Sequence, residues 1–551
     1  MAQIDITKPI DLSSHAEGTG ALRTRRPLYM DFMPPCNSAC PAGENIQAWL
    51  NHAQSENYYE AFQTIMEDCP FPAIMGRVCV RACETGCNRN HIDTTVSIHA
   101  VERYIGDKAI EENWQPKYEA TATGKRVLVV GGGPGGLSAA YHLARLGNEV
   151  EVFEADAQLG GLMRTGIPSY RLPRNILDAE IARLEAMGIK FKLNYKVTDI
   201  VKEKAEGKFD AVYLSIGAQM IRKEDIVEEN PVKITDAFTF FKEQESIDIK
   251  GKKVVIYGGG KLAMYISRIV RRHEAEAIVL FPGDRKLMPA YDYEADDALA
   301  EGVDIQFYNR IHKIAGNQFT LEKMKVEKSK AVGTGEFHTI EADMLITALA
   351  QEADSGFLRS VEEIGINADG TVVINTTNRM TKYEGVFAGG DMLPGENRSA
   401  TIAIGHGKKA AKYIHGFVTG EPYVKPSKPQ TASYKKLHIW YNTEAPKKEQ
   451  DKLAPEVAVK TFDEVIAGLD EKAAWYEAQR CLSCGNCFEC DGCYGACPED
   501  AIIKLGKGNR YEFDYNKCTG CAVCYEQCPC HAIEMIPESK AVEVATSVAS
   551  L

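Results

Sequence analysis

The cysteines between residues 487 and 529 place the strongest constraint on what this chain can fold into. They read CFECDGCYGACP, followed after an intervening stretch by CTGCAVCYEQCP. Each run has the spacing C-x2-C-x2-C-x3-C-P. One CxxC could belong to a zinc site or a disulfide, but two complete copies, each followed by proline, disfavour both readings. The segment must therefore fold so that eight thiolates surround two metal centres.

This spacing is typical of bacterial two-cluster ferredoxins, in which three close cysteines hold one [4Fe–4S] cluster and the fourth cysteine ligates the other. The predicted ligands of one cluster are Cys487, Cys490, Cys493 and Cys528. Those of the second are Cys518, Cys521, Cys524 and Cys497. Cys481 and Cys484 permit a shifted frame, but that frame leaves the Cys-Pro pair at 497–498 unused. Cys530 is predicted to be a spare thiol. Such clusters relay single electrons, so the rest of the chain must feed them.

Composition and net charge restrict the class of partner and the cellular compartment that we expect. The net charge of −13 argues against a nucleic-acid partner, because a phosphate backbone needs a basic surface. The 17 cysteines are grouped at metal-ligand spacing, which indicates a reducing compartment and a cytoplasmic protein. Residues 1–18 lack the basic and apolar regions of a signal peptide. No run of 18 apolar residues occurs, so we expect no membrane insertion.

A second group of cysteines lies in the N-terminal region, which we predict to be an extended arm over residues 1–30 and then helical. Amphipathic patterns flank PPCNSACPAG and CPFPAIMGRVCVRACETGCNRN. Cys40, Cys79 and Cys83 are predicted to hold a cluster. Cys69 is predicted to be a buried, inert thiol.

The segment KRVLVVGGGPGGLSAAYHLARLGNEVEVFEA predicts a nucleotide-binding strand–turn–helix–strand unit. Gly131 makes the turn, Gly133 lets the backbone approach a pyrophosphate, and Gly136 lets the helix pack on the strand. The helix N-terminus then faces the phosphates with free N–H groups. Glu154 ends the second strand, where an acid can bind ribose hydroxyls.

A second unit of the same design follows in KKVVIYGGGKLAMYISRIVRRHEAEAIVLF. Gly258, Gly260 and Ala263 form G-x-G-x-x-A. Phe281 takes the position at which an acid would favour NAD, and Arg285 comes late for the 2′-phosphate of NADP. These residues leave the choice between NAD(H) and NADP(H) open.

Together with EGVFAGGDMLPGENRSATIAIGHGKKAAKYIHGF (384–417), these units resemble the two-dinucleotide-binding flavoproteins. The resemblance implies FAD in the first unit, with Asp391 after Gly390 bonding the ribitol and the helix near Thr401 pointing at the flavin. GGLMRTGIPSYRLP, with Gly161 and Arg164, resembles a further FAD-contacting stretch. A disulfide reductase would need a Cys-x4-Cys dithiol beside the flavin, and none follows the first turn.

The predicted fold is α/β with five parts: a helical iron–sulfur domain (1–122), an FAD domain (123–245 plus 380–420), an NAD(P) domain (246–379), a Pro- and Lys-rich surface linker (421–475) and an α+β ferredoxin-like domain (476–540). Iron–sulfur sites therefore flank the flavoprotein on both sides.

The motifs GRVCVRACETGC, VLVVGGGPGGLSAA, GGGKLAM and TIAIGHGKKAA resemble the glutamate synthase small-subunit family, which also includes dihydropyrimidine dehydrogenase-like proteins. With its ferredoxin module the chain looks similar to family members linked to dissimilatory sulfite reductase and phenylglyoxylate dehydrogenase. The family pattern implies Glu102 as the fourth ligand beside Cys40, Cys79 and Cys83. The family's extra N-terminal CxxC is missing, so we expect one N-terminal cluster, with Cys36 and Cys87 left over or one of them replacing Glu102.

We therefore predict an electron-transfer subunit that moves electrons between NAD(P)H and a partner redox enzyme through FAD and [4Fe–4S] clusters, in a hetero-oligomer. The family's paired arginines before MPA are absent here, which favours NAD(H) over NADP(H) as the nucleotide. The partner would be a large subunit such as a sulfite reductase, a 2-oxoacid oxidoreductase or a synthase. The alternatives are a glutamate synthase small subunit and a carrier or scaffold protein with an inactive flavin site. Hydride transfer needs no protein acid or base, so no catalytic residue is predicted.

Overall fold

The computed structural model describes residues 23–224, 226–395, 398–440 and 442–538. The N-terminal residues 1–22, and with them most of the predicted arm, lie outside the described residues. Helices and parallel sheets alternate over the middle of the chain, which confirms the predicted α/β class. No helix in the described ranges is long and apolar enough to cross a membrane.

The N-terminal region is a cluster of short helices around a core of large apolar side chains, among them Trp49 and Phe62. Two helices touch closely because glycines face the contact: a Cβ on Gly76 would lie 2.4 Å from Arg103 Cα, and one on Gly106 would lie 2.3 Å from Ala73 N. The helices are Pro35–Ala39, Ile46–Gln54, Tyr58–Met66, Pro72–Val78, Ala82–Thr85 and Ile98–Glu111, with a 3-10 turn at Asn88–His91.

The first nucleotide-binding sheet has five parallel strands whose central members are buried on both faces, as strands covered by helices require. In spatial order they are Val386–Ala388, Ala211–Leu214, Arg126–Val130, Glu149–Phe153 and Lys190–Lys192. The helices of this region are Pro134–Arg145, Leu162–Thr165, Arg174–Ala186, Ile200–Glu206 and Ala400–Thr419.

The second sheet is also five-stranded and parallel, in the order Asp304–Phe307, Glu276–Phe281, Lys253–Tyr257, Met344–Thr347 and Lys233–Asp236. A four-stranded sheet packs beside it, formed by Lys330–Glu341, Gln318–Glu327, Asn309–Ala315 and Val227–Glu229. The accompanying helices are Ala237–Glu243, Lys261–Arg272 and Asp292–Ala300, with a 3-10 turn at Arg285–Leu287.

The boundary between the two nucleotide units differs from the predicted 245/246 and 379/380. Strand Lys233–Asp236 belongs to the second sheet, and Leu358 and Val361 pack in the core of the first. The reason is that Met220–Ile221 and Gln351–Glu352 pair antiparallel, so the chain crosses between the units at these two short strands. The 3-10 turns Gly356–Ser360 and Gly390–Met392 lie on the return path.

The C-terminal module contains helices Gly492–Ala496 and Val523–Glu526 and the hairpin Ile502–Lys504 with Tyr511–Phe513. Its second strand pair joins the first and last strands of the described residues, because Arg25–Tyr29 lies antiparallel to Ile533–Pro537. The described end of the predicted N-terminal arm is therefore part of the ferredoxin-like module rather than of the helical domain.

The segment 421–475 is irregular, as a connector would be, but it is bound to the domains beneath it. Arg77 and Arg103 both pair with Glu464, at 2.8 and 2.9 Å. Val465, 3% exposed, donates its backbone N–H to Tyr170 O. Short helical elements occur at Tyr434–Lys436 and Pro455–Ala458, and helix Glu471–Gln479 leads into the C-terminal cysteines.

Candidate functional site

A cavity of about 350 Å³ opens at the carboxyl edge of the first sheet, where parallel α/β sheets bind their ligands. Residues from both nucleotide units line it, including Lys261 and Tyr265 from the second. The predicted cofactor residues that line it are Gly131, Gly133, Glu154, Gly161, Gly390 and Asp391. The predicted residues Gly136, Arg164 and Thr401 are not part of its lining.

The three glycines of the first turn differ in what surrounds them. Gly131 has φ +105°, and a Cβ there would lie 2.4 Å from Ser215 O. A Cβ on Gly136 would lie 1.9 Å from Gly131 O, so this glycine brings helix and strand together. Gly133 has only Gly161 Cα, at 3.8 Å, near its missing side chain. This open backbone fits the approach of a pyrophosphate.

Two carboxylates, those of Glu154 and Asp391, line this cavity. Glu154 accepts hydrogen bonds from the N–H groups of Gly132 at 2.6 Å and Asp156 at 2.8 Å, which fixes its carboxylate beside the turn. Burial raises the pKa of Asp391 to about 6. The chemistry of the two groups fits acceptors for ribose and ribitol hydroxyls. Arg164 instead donates to Leu159 O at 2.7 Å and pairs with Asp178. It therefore contacts the loop before Gly161 and does not line the cavity.

The second glycine turn repeats the geometry of the first. Gly258 has φ +143°, with a Cβ position 2.2 Å from Ala348 O, and the Cβ position of Gly260 is open to 4 Å. Ala263 is fully buried, as the helix-packing position requires. The ring of Phe281 lies 2.5 Å from the Cβ position of Gly259, where Glu154 approaches Gly132 in the first unit.

Arg285 is engaged by acids of its own chain. Its guanidinium pairs with Asp292 at 3.1 Å and with Asp296 at 3.0 Å. The second unit therefore presents an open glycine turn, an aromatic ring where the first unit has Glu154, and a nearby arginine that already has carboxylate partners.

The predicted N-terminal metal ligands lie close to one another. Burial raises the pKa of the Cys40 thiol, and the neighbouring charges of Glu44, Cys79 and Glu102 raise it further. Glu102 is 5% exposed, and its Oε1 has no hydrogen-bond partner in the described part of the chain. An orphaned buried carboxylate oxygen among thiols fits a metal ligand. Cys69, predicted to be inert, also places its Sγ within 4.8 Å of the Glu44 and Glu102 carboxylates.

This N-terminal cysteine site borders the cavity of the first nucleotide unit. The Thr401 hydroxyl donates to Cys79 Sγ at 3.2 Å. Thr401 lies in the first turn of helix Ala400–Thr419, whose neighbouring residues Ser399 and Ala400 line the cavity, and Val78 lines it from the cysteine side. Thr401 therefore joins the two sites instead of facing the cavity itself.

The C-terminal cysteines form two groups. One group surrounds a cavity of about 20 Å³ and consists of Cys497, Cys518, Cys521 and Cys524. The other group consists of Cys487, Cys490, Cys493 and Cys528. Burial, together with the charges of Cys493 and Cys528, raises the pKa of Cys487 to about 11. Burial and the charge of Cys528 also raise the pKa of Cys490. Backbone N–H groups donate to sulfur in each: Ala501 to Cys497 and Ala532 to Cys528, both at 3.3 Å.

Cys481 and Cys484 do not join these groups, so the structure gives no support to the shifted frame. They line a separate cavity of about 20 Å³ together with Cys36 and Cys87, the two cysteines left over in the N-terminal region. Sequence reasoning missed this grouping. The available signal was a pair of matching irregularities: a CxxC missing before Cys36 and an extra CxxC before the ferredoxin motif.

Comparison with known families identifies three that match this chain. Residues 94–227 and 125–407 match the family described as pyridine nucleotide-disulphide oxidoreductase. Residues 23–114 match dihydropyrimidine dehydrogenase domain II, 4Fe-4S cluster, and residues 511–534 match the 4Fe-4S binding domain.

Among curated proteins, the chain is 29% identical to the NADP(+)-dependent formate dehydrogenase subunit beta of Moorella thermoacetica, over 86% of this chain and 74% of that protein. It is 30% identical to the NAD-dependent dihydropyrimidine dehydrogenase subunit PreT of Escherichia coli, over 70% of this chain and 91% of that protein. It is 29% identical to the E. coli glutamate synthase [NADPH] small chain, over 69% of this chain and 88% of that protein.

Proposed function

This chain belongs to the pyridine nucleotide-disulphide oxidoreductase family, and we propose that its C-terminal module exchanges electrons with a partner redox enzyme. It is an iron–sulfur flavoprotein subunit that uses FAD, NAD(P)H and [4Fe–4S] clusters. The flavin unit and the N-terminal cysteine site connect NAD(P)H to that module. The cysteine chemistry supports a reducing compartment, the cytoplasm.

We assign the first cavity to FAD and the second glycine turn to the nicotinamide nucleotide. Gly133, whose Cβ position is open, would let the backbone approach the FAD pyrophosphate, Glu154 would accept from ribose hydroxyls, and Asp391 would accept from ribitol hydroxyls. The chemistry that the two groups would supply when bound is hydride transfer between the nicotinamide and the flavin. Lys261 and Tyr265 reach the same cavity from the second unit, so the chain's part is to orient the two rings and exclude water.

The contact between Thr401 and Cys79 is the observation that carries this function. Cys79, one of the proposed ligands with Cys40, Cys83 and Glu102, accepts this hydrogen bond beside Ser399 and Ala400, which line the cavity proposed for the flavin, and this supports electron transfer between the two sites. A flavin with an adjacent iron–sulfur site can pass electrons onwards one at a time, and a dithiol at the flavin would not be needed.

NADH is the nucleotide that the second unit supports better. Recognition of the 2′-phosphate of NADPH needs a free basic group near the end of the second strand. Arg285 is the closest candidate by sequence, and its guanidinium is paired with Asp292 and Asp296. We therefore propose NADH as the preferred donor, or NAD⁺ as the preferred acceptor.

The partner is proposed to be the large subunit of a redox enzyme, such as a sulfite reductase, a 2-oxoacid oxidoreductase or a synthase. The relatives above carry names of subunits, which supports a hetero-oligomer. The likeness to the glutamate synthase small chain covers 69% of this chain, against 86% for the formate dehydrogenase subunit, which favours a partner that accepts electrons through the C-terminal module.

Dye reduction by the purified holoprotein tests this function, with NADH and NADPH assayed separately. Gly258→Ala should abolish reduction with either nucleotide while FAD content is retained, because its Cβ would lie 2.2 Å from Ala348 O. Gly356→Ala is the matched control, since Gly356 is exposed with no heavy atom within 4 Å of its Cβ position. Failure of the unaltered protein with both nucleotides would refute the function and leave the scaffold alternative.

A further inference from the structure

Four cysteines from distant parts of the chain line one small cavity that no predicted cluster uses. Cys36 and Cys87 come from the N-terminal helices, and Cys481 and Cys484 from the segment before the ferredoxin motif. We propose that these four thiolates bind a further [4Fe–4S] cluster, which bridges the N-terminal domain and the C-terminal module.

The size and lining of the cavity support a cluster. It measures about 20 Å³, the same as the cavity bounded by Cys497, Cys518, Cys521 and Cys524. Apart from its thiols it is lined mainly by apolar groups, among them Leu50, Val96, Ile98 and Leu482. Solvent exclusion of this kind surrounds protein-bound iron–sulfur clusters and tunes their potentials.

The Cys481–Cys484 loop shares a positive-φ position with the first CxxC loop of each ferredoxin run, Cys487–Cys490 and Cys518–Cys521. The residue before the second cysteine has positive φ in all three: Ser483 (+49°), Glu489 (+59°) and Gly520 (+72°). A non-glycine residue adopts this region at a cost, so its repetition at Ser483 and Glu489 indicates a shared requirement. A spare pair of cysteines would not need it.

The hydrogen bonds to sulfur at this site also resemble those at the other cysteine sites. Ser483 N–H donates to Cys481 Sγ at 3.4 Å, as Arg81 N–H does to Cys79 Sγ at 3.4 Å. Asn88 Nδ2 donates to Cys484 Sγ at 3.4 Å across 396 residues of sequence. Donors that point at cysteine sulfurs stabilise the thiolate form and adjust cluster potential.

The surrounding structure holds the two halves of the site together. Arg480, directly before Cys481, donates to Thr95 O at 2.9 Å and pairs with Asp93 at 3.1 Å. Arg89, which follows Cys87 by two residues, donates to Arg480 O at 3.3 Å. The N-terminal and C-terminal pairs of cysteines are thus fixed by direct bonds between their own neighbours.

The site lies between the flavin side and the C-terminal module. Helix Pro35–Ala39, which carries Cys36, packs against helix Ala82–Thr85, which carries Cys83. On the other side, Gly485 N–H donates to Cys530 O at 2.6 Å within the C-terminal module. The cluster would thus relay one electron at a time between the two; this role rests on the proposed function, but the metal site does not.

Iron and acid-labile sulfide analysis of the purified holoprotein tests the site without any activity assay. Four cubane clusters give about 16 iron atoms per chain, and three give about 12. The double variant Cys481→Ala/Cys484→Ala should lose about 4 iron atoms while keeping its FAD. Gly356→Ala is the control: Gly356 is exposed, no heavy atom lies within 4 Å of its Cβ position, and its replacement should leave the iron content unchanged.

Three results would overturn the proposal: about 12 iron atoms in the unaltered protein, unchanged iron in the double variant, or stoichiometric zinc lost with Cys481 and Cys484. The unaltered protein's iron count decides the matter even if the double variant folds poorly. Loss of dye reduction with a full iron count would refute the proposed function and leave this site standing.

Discussion

Replacing Arg480 with alanine should loosen the attachment of the C-terminal cysteines to the N-terminal domain. The guanidinium donates to Ala445 O at 3.1 Å, Thr95 O at 2.9 Å and Thr94 O at 2.7 Å, and it pairs with Glu477 at 2.8 Å. Both members of that pair are buried, with side-chain exposures of 2% and 0%. Arg480→Ala therefore removes the charge partner of a carboxylate that water cannot reach.

Breaking a buried ion pair from one side costs about 3–5 kcal/mol. Glu477 would keep two donors, the N–H groups of Ser97 at 2.8 Å and Lys448 at 2.6 Å. We therefore expect the lower end, about 3 kcal/mol, which corresponds to an opening equilibrium about 100-fold more favourable to the detached state.

Native-state hydrogen exchange on the holoprotein measures this local opening, which a global melting curve of a multidomain cofactor protein would not isolate. Amides of residues 93–97 and 471–485 should exchange about 100-fold faster in the variant, provided exchange follows local opening. Arg222→Ala is the control, because Arg222 is 55% exposed in its pair with Glu352 and such pairs contribute about 0–1 kcal/mol. Unchanged exchange in Arg480→Ala would refute the argument that this arginine holds the two parts together.

Three further perturbations probe other parts of the chain. Cys497→Ala should remove the cluster held with Cys518, Cys521 and Cys524, about 4 iron atoms; unaltered iron would contradict the crossed ligand sets. Glu102→Ala should change the spectrum of the N-terminal cluster, and an identical spectrum would exclude Glu102 as a ligand. Burial raises the pKa of Glu180 from 4.5 to about 7, so the folded state holds a proton that the unfolded state loses within that interval. Stability should therefore fall as pH rises from about 4.5 to about 7, and Glu180→Gln should flatten the decline in unfolding midpoint; an equal slope in both proteins would refute the shift.

The local motifs were sufficient to predict the nucleotide units because each depends on short-range geometry. A turn that needs positive φ at Gly131 and Gly258 can be recognised from the glycines, and a strand that is buried on both faces can be recognised from its apolar run. The α/β class and the cofactors followed from these motifs and are confirmed by the fold and the comparisons. The individual ligands and cofactor residues stay predictions.

Contacts between distant segments could not be predicted, because nothing local encodes them. The pairing of Arg25–Tyr29 with Ile533–Pro537 joins the first and last strands of the described residues, and neither strand identifies its partner by pattern. The chain crosses between the two nucleotide units at residues 220–221 and 351–352, and the two-residue strand pairing there is too short to detect in the sequence. Cys36 and Cys481 are the same kind of case: each looked superfluous within its own segment.

Anaerobic titration of the holoprotein with NADH, followed by absorbance and electron paramagnetic resonance, tests the central claim most directly. The account predicts that the chain takes up more electrons than FAD alone can hold, and that signals of reduced [4Fe–4S] clusters appear after the flavin absorbance bleaches. Uptake that stops once the flavin is reduced, with no cluster signal, would contradict the claim that this chain connects a nicotinamide nucleotide to its C-terminal iron–sulfur module.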